Sequence, residues 1–215
     1  MKKLWLALWV CAALLPRAAA LSAAAAVTMD ADTGETLFAE NADSRLPMAS
    51  TTKIMTALVA LGEGDLDRVY TVKKQYAAVE GSSMYLEEGE RLTLRDTLYG
   101  LMLSSGNDAA AAVAGECGGE RAFVDKMNAK ARELGLTDTR FENPSGLPSD
   151  GHYTTARELA KITAAALRDP VFRDIVSTKT CTAAGRTLVN HNRLLSLYED
   201  AIGVKTGFTR AAGRC

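Results

Sequence analysis

The stretch ASTTKIMTALVALGEG, residues 49–64, sets a serine and a lysine three positions apart at the head of a run in which Ile54, Met55, Leu58, Val59 and Leu61 are apolar. That apolar density is too high for a surface helix, so the spacing predicts a helix that is central and mostly buried. Positions i and i+3 share a helix face, so an amine at Lys53 reaches a hydroxyl at Ser50. A serine hydroxyl is a weak nucleophile until a base takes its proton. A lysine can be that base when burial or neighbouring cations depress its pKa. The start of a helix adds free backbone N–H groups and the positive end of the dipole, both useful where an oxyanion develops. Taken alone, Ser50 reads first as a capping serine beside a surface lysine, because S-x-x-K arises roughly half a time by chance in a chain of this composition.

Around this helix the sequence alternates short strands and longer helices. Residues 24–43 read as two strands about a turn at Asp32, Thr33 and Gly34. Thr93, followed three places later by Asp96, has the capping-box pattern and opens a helix bearing Leu94, Leu98, Leu101 and Met102, which ends at SSGN (104–107). Further helices are predicted over 108–116, over 119–135 with Gly135 as its stop, and over 154–169, opened by Thr155 and Glu158 and ending before Pro170. The polar stretch 137–153 reads as a surface loop, and residues 186–195 and 201–209 as short strands. A strand hairpin, a helical middle and returning strands suggest a mixed sheet with helices packed on it.

The 215 residues are 47 % hydrophobic and 24 % charged, a globular composition that excludes disordered and collagen-like classes. Residues 1–26 differ: Lys2 and Lys3 precede the apolar run 4–15, and small residues follow through Ala18, Ala19 and Ala20. This is the pattern of a secretory signal peptide, with an apolar core too short to span a bilayer. Removing its three cations, Lys2, Lys3 and Arg17, moves the formal charge from −1 to −4. An acidic exported domain gives no support to nucleic-acid binding. Cys11 falls in the leader, and Cys117, Cys181 and Cys215 are too few and scattered for a disulfide framework, so they read as buried free thiols. No C-x-x-C or histidine cluster suggests a metal site.

Two more short motifs follow the first. Ser105-Gly106-Asn107 ends a predicted helix, where a hydroxyl and an amide can point together into a cleft. By itself it is equally a helix stopped at a glycine. Lys205-Thr206-Gly207 is rarer, with about 0.07 matches expected by chance. On an edge strand, lysine and threonine can hold a carboxylate while the glycine lets substrate lie against the backbone. S-x-x-K, S-x-N and K-T-G in this order are the signature of penicillin-binding proteins and serine β-lactamases.

The stretches 81–114, 141–147, 152–162 and 203–215 extend the likeness, and the chain from about Ala26 onward resembles the D-alanyl-D-alanine carboxypeptidases, the low-molecular-weight penicillin-binding proteins. The resemblance implies an α/β (α+β) fold of the β-lactamase/transpeptidase type, mainly an antiparallel sheet flanked by helices, with a helical subdomain. It implies a D,D-peptidase catalytic domain over residues 27–215 acting on peptidoglycan pentapeptides that end in D-Ala-D-Ala, with β-lactams as inhibitors and no metal or cofactor. By motif, Ser50 is the acyl-ester nucleophile, Lys53 its base, and Ser105 a proton relay to the leaving amine. Asn107 binds the acyl-side amide, Lys205 and Thr206 the terminal carboxylate, and Gly207 admits the substrate. The backbone N–H groups of Ser50 and Phe208 form the oxyanion hole. His152 and His191 are assigned no catalytic part, since Lys53 fills that role.

Three other activities share these motifs. A class A β-lactamase uses a glutamate placed ahead of an asparagine between the second and third motifs; here Glu142 directly adjoins Asn143, which is not that spacing. A D,D-endopeptidase is chemically close, and a non-catalytic penicillin- or wall-binding module is the rival of another kind. In the resembled fold, two strands and a helix follow the K-T-G strand, whereas only FTRAAGRC follows Gly207. The expectation is therefore a C-terminally truncated enzyme whose third motif lacks a strand neighbour, which folds poorly and turns over little. The expected location is the periplasm or the outer face of the cell membrane and wall, with membrane association only through an anchor beyond Cys215.

Overall fold

The computed structural model describes residues 22–215; most of the expected leader, including Cys11, lies outside the described residues. The described residues open with an antiparallel pair, β1 (Ala26–Met29) and β2 (Thr36–Glu40), joined by a turn in which Asp30 accepts hydrogen bonds from Asp32 N, Thr33 N and Thr33 Oγ1. A 3-10 turn over Ala49–Thr52 then leads into α1 (Lys53–Leu61). The strands β3 (Val69–Thr71) and β4 (Arg91–Thr93) pair across a short helix, α2 (Lys74–Ala77). The helical middle comprises α3 (Leu94–Leu103), α4 (Asn107–Glu116), α5 (Glu120–Glu133), α6 (Ala156–Ala166) and α7 (Pro170–Ser177). The hairpin β5 (Thr180–Ala183) and β6 (Arg186–Val189) follows, then α8 (Leu194–Leu197) and the pair β7 (Phe208–Thr209) and β8 (Gly213–Arg214).

The central placement expected of α1 holds. It packs against α3, α4, α5, α6 and α7, and Ile54, Met55, Ala57, Val59 and Ala60 are buried. Such a helix is stable because neighbours take up its apolar surface on every side, at about 25 cal/mol per Å² removed from water. The capping box at α3 forms as the sequence predicts, with Thr93 Oγ1 accepting from Asp96 N at 3.0 Å and Asp96 Oδ2 accepting from Thr93 N at 3.2 Å. α6 begins on a Thr155 cap, but the Glu158 carboxylate turns away from its own helix start to accept from Thr137 N, Asp138 N and Thr139 Oγ1.

That contact is part of a correction. Residues 137–153 are not a surface loop: Phe141, Pro144, Ser145, Gly146 and His152 are buried. Its turns face inward because Asn128 brackets Phe141, accepting from its N–H and donating to its carbonyl, and Thr56 donates to Pro144 O at 2.7 Å. The described strands form four separate two-stranded antiparallel pairs rather than one mixed sheet. Lys205 and Thr206 precede β7 in an extended segment, not within a strand; only Gly207 continues the pairing, exchanging backbone hydrogen bonds with Cys215. Of the three cysteines among the described residues, all free, Cys117 is buried, Cys181 half-buried and Cys215 exposed.

Candidate active site

Ser50 lies in the 3-10 turn rather than in the α-helix proper, one turn before Lys53 begins α1. The geometry still brings the two together, with Lys53 Nζ 3.3 Å from Ser50 Oγ. Lys53 is fully buried, and its ammonium has two further partners, Asn107 Oδ1 at 2.8 Å and the Ser145 carbonyl at 2.6 Å. Burial pushes its pKa well below that of a free lysine, the nearby charge of Lys205 pushes it the same way, and Asp108 opposes them. A buried amine with depressed basicity beside a hydroxyl is an arrangement able to take that hydroxyl's proton.

Asn107 is placed by a fixed framework. Its N–H donates to Ser82 O at 2.7 Å and its Nδ2 to Glu80 O at 2.8 Å, which leaves Oδ1 facing Lys53. The adjacent Asp108, fully buried, accepts from Ser83 Oγ, Met84 N, Leu86 N and Ala109 N, and so ties the 83–86 segment to the start of α4. Ser105 sits between α3 and α4, buried, with a left-handed backbone at φ 59°. No side-chain hydrogen bond joins it to Ser50 or Lys53 among the described residues. Such a backbone is costly for a residue other than glycine, of order 1 kcal/mol, and persists where surrounding structure enforces it.

The third motif closes the other side. A Cβ added to Gly207 would stand 3.0 Å from Ser50 N and 3.2 Å from Thr51 N, so the extended segment lies directly on the turn that carries Ser50. A side chain at this position would push the segment off the turn by a few tenths of an ångström, so glycine suits the close approach. Lys205 is half-buried, and its partial burial lowers its pKa to about 8; its Nζ donates to Thr206 O at 2.8 Å. Phe208 exposes its ring. His191 is exposed, yet close enough to Lys205 for that charge to add to the effect of burial in lowering its pKa.

Sequence reasoning missed how the 142–152 loop supports this site. A Cβ on Gly146 would fall 1.9 Å from Ala49 O, so loop and turn are in direct contact. The Glu142 N–H donates to His152 Nδ1 at 3.0 Å, which puts the ring proton on Nε2, 2.8 Å from Thr52 Oγ1. Thr52 Oγ1 donates in turn to Ala49 O at 2.8 Å. The only sequence signal was the concentration of hydrogen-bonding side chains there, which also fits a solvated loop.

The family described as D-alanyl-D-alanine carboxypeptidase, Peptidase S11, matches residues 12–215 of this chain. A curated Bacillus subtilis protein, D-alanyl-D-alanine carboxypeptidase DacF, is 40 % identical over 205 residues, covering 90 % of this chain and 52 % of the relative. A Pseudomonas aeruginosa D-alanyl-D-alanine endopeptidase is 36 % identical over 211 residues, covering 94 % of this chain and 68 % of the relative. Among solved structures, the Streptomyces K15 DD-transpeptidase superposes with a TM-score of 0.84 at 39 % identity, over 91 % of this chain and 84 % of that one. The chain thus spans about half the length of the first of these relatives and more of the others.

Proposed function

This chain belongs to the Peptidase S11 family of D-alanyl-D-alanine carboxypeptidases, and from that premise we propose that it removes the terminal D-Ala from peptidoglycan pentapeptides through an acyl-enzyme on Ser50. The observation that carries this reading is the set of partners around the buried Lys53 Nζ: Ser50 Oγ, Asn107 Oδ1 and Ser145 O. Neutral Lys53 takes the Ser50 proton as Oγ attacks the carbonyl of the penultimate D-Ala, and the tetrahedral oxyanion rests on the N–H groups of Ser50 and Phe208. Asn107 holds the acyl-side amide, and Lys205 with Thr206 holds the terminal carboxylate. Ser105 passes the proton to the departing D-Ala nitrogen, and water then releases the shortened peptide, splitting one hard step into two. A β-lactam carries an equivalent carbonyl and carboxylate and acylates the same oxygen.

Export to the periplasm or the outer face of the membrane belongs to this reading, supported by the basic and apolar pattern of residues 1–26. A β-lactamase is disfavoured because Glu142 is engaged by Ser149 Oγ, Gly151 N and Arg140 rather than aimed at Ser50. Endopeptidase action on cross-linked peptides is the second reading, supported by the likeness to the Pseudomonas aeruginosa endopeptidase.

The test is labelling with a fluorescent penicillin together with D-Ala release from a D-Ala-D-Ala pentapeptide. Persistent label with D-Ala release is expected, and Ser50→Ala should abolish both. Rapid loss of label would indicate a β-lactamase, and labelling that survives Ser50→Ala would refute the nucleophile.

A further inference from the structure

Of the partners around Lys53 Nζ, two can only accept: Asn107 Oδ1 at 2.8 Å and the Ser145 carbonyl at 2.6 Å. A neutral amine has two N–H bonds and one lone pair. With both N–H bonds given to these oxygens, the lone pair is left for the remaining partner, Ser50 Oγ at 3.3 Å. An ammonium donates to all of them, and a serine oxygen that accepts from it cannot pass it a proton. The two carbonyl oxygens therefore aim the base. Asn107 is held by the Glu80 and Ser82 carbonyls, whereas the Ser145 carbonyl belongs to a loop and needs a support of its own.

Asn143 supplies it. Its Oδ1 accepts from Gly146 N at 2.7 Å, Ser145 N at 3.2 Å and Ser145 Oγ at 3.1 Å, and its Nδ2 donates to Leu147 O at 2.9 Å. An asparagine that accepts from the N–H two residues on closes a local turn with its own side chain. The Gly146 N–H and the Ser145 carbonyl belong to one peptide unit, which is planar and trans, so they point in opposite directions. Holding that N–H at Asn143 turns the carbonyl to Lys53. The loop is pinned on either side of this unit, by Thr56 donating to Pro144 O from the helix that Lys53 begins, and by Gly146 lying against Ala49 O. Asn143 itself makes no hydrogen bond to Ser50 or Lys53 among the described residues.

We infer that Asn143 is a positioning residue for the general base: by holding the 145–146 peptide it aims the Ser145 carbonyl at Lys53, and thereby the Lys53 lone pair at Ser50. The inference rests on the acyl-enzyme reading and names a residue outside the three motifs that orients its base. The test follows acylation by a fluorescent penicillin in stopped flow as a function of pH, which separates noncovalent binding from the rate constant at saturation. Asn143→Ala should lower that rate constant by about tenfold or more, the scale of a misplaced catalytic group, and leave the binding constant unchanged. Its acid limb should move to lower pH by about 0.5–1 unit, because the ammonium loses an acceptor that favours it. Lys205 and Asp108, the charged groups that act on Lys53, stay in place in this variant. Asn143→Asp keeps the acceptor and should recover the plateau rate. Partial unfolding reduces the amplitude and not the rate constant at saturation, so a loss confined to amplitude, with the acid limb unmoved, would make Asn143 a structural residue only and overturn the inference. Should Asn143→Ala not fold, Asn143→Leu, which keeps the volume and neither donates nor accepts, is read against the same two quantities. Absence of labelling in the unaltered protein would refute the acyl-enzyme reading, and the positioning role with it.

Discussion

Lys53 and Lys205 are cations held where water is scarce, and their burial sets the pH range in which Ser50 can be acylated. Lys53 acts as a base only when neutral, and its depressed pKa makes that form available; Lys205 binds the substrate carboxylate only when charged. Activity therefore rises as Lys53 loses its proton and falls as Lys205 loses its own, near pH 8. The expected alkaline limb appears as a rising KM for D-Ala-D-Ala peptides, and Lys205→Arg should move it out of range because a guanidinium does not titrate there. An alkaline limb unmoved by that substitution would show that another group controls binding. His152 acts through the turn rather than on substrate. Its pKa is lowered to about 4 by burial from a usual 6.5, so the unfolded chain binds the proton that the folded one refuses. Stability is then lost as pH falls from 6.5 toward 4, by roughly 3 kcal/mol in all, and is flat below that window. His152→Gln, which can donate to Thr52 but does not titrate, should flatten this acid slope in urea-unfolding curves taken between pH 4 and 7; an unchanged slope would assign it to other groups.

At the scale of elements, what was legible in the sequence was what local rules determine. The α3 cap follows from Thr93 and Asp96 alone, and the burial of α1 from its apolar density. Thr93→Ala should cost about 1 kcal/mol in chemical denaturation and leave penicillin acylation of Ser50 unchanged, since the cap lies at the far end of α3 from Ser105. Asp108→Ala is different, because it strips the 83–86 segment of three donors' partner, those of Ser83, Met84 and Leu86, next to Asn107. It should cost 2 kcal/mol or more and slow acylation as well, given the penalty for buried donors left unmade. Equal effects of the two substitutions on acylation would deny that this segment supports the site. The 137–153 stretch was not legible, because its burial depends on Asn128, Thr56 and Glu158 from three different helices. Lys205-Thr206-Gly207 was recognisable as a motif but not as a segment that pairs only at Gly207, since its seating depends on the absence of a side chain at Gly207 against a turn 157 positions earlier.

Across the whole molecule the structure divides into a tightly packed helical centre and lightly held strand pairs around it. Leu98, Leu101, Ala110 and Val113 are wholly buried where α3 and α4 meet, whereas Leu37, Phe38 and Phe208 on β2 and β7 face water. Leu98→Ala should cost 2–5 kcal/mol, the range for a core cavity of that size, while Leu37→Ala should change stability by no more than about 0.5 kcal/mol. The same division orders local opening. The first two motifs are held by the helical centre, but the third is held by the β7–β8 pair, the Gly207–Cys215 hydrogen bonds and contact with the Ser50 turn. Amide hydrogen exchange should therefore be slowest at Leu101 and Ala110 and fast at Phe208 and Thr209, which can open without unfolding the core. An acyl group on Ser50 whose oxygen accepts from Phe208 N ties the segment to the turn, so penicillin acylation should slow exchange at Phe208 by tenfold or more and leave Ala110 unchanged. Protection at Phe208 equal before and after acylation would mean that the third motif is already fixed in the free protein, or that Phe208 N is not a donor to the oxyanion. Ser50→Ala, which cannot be acylated, separates covalent tethering from simple occupancy of the cleft: penicillin should then give no added protection at Phe208.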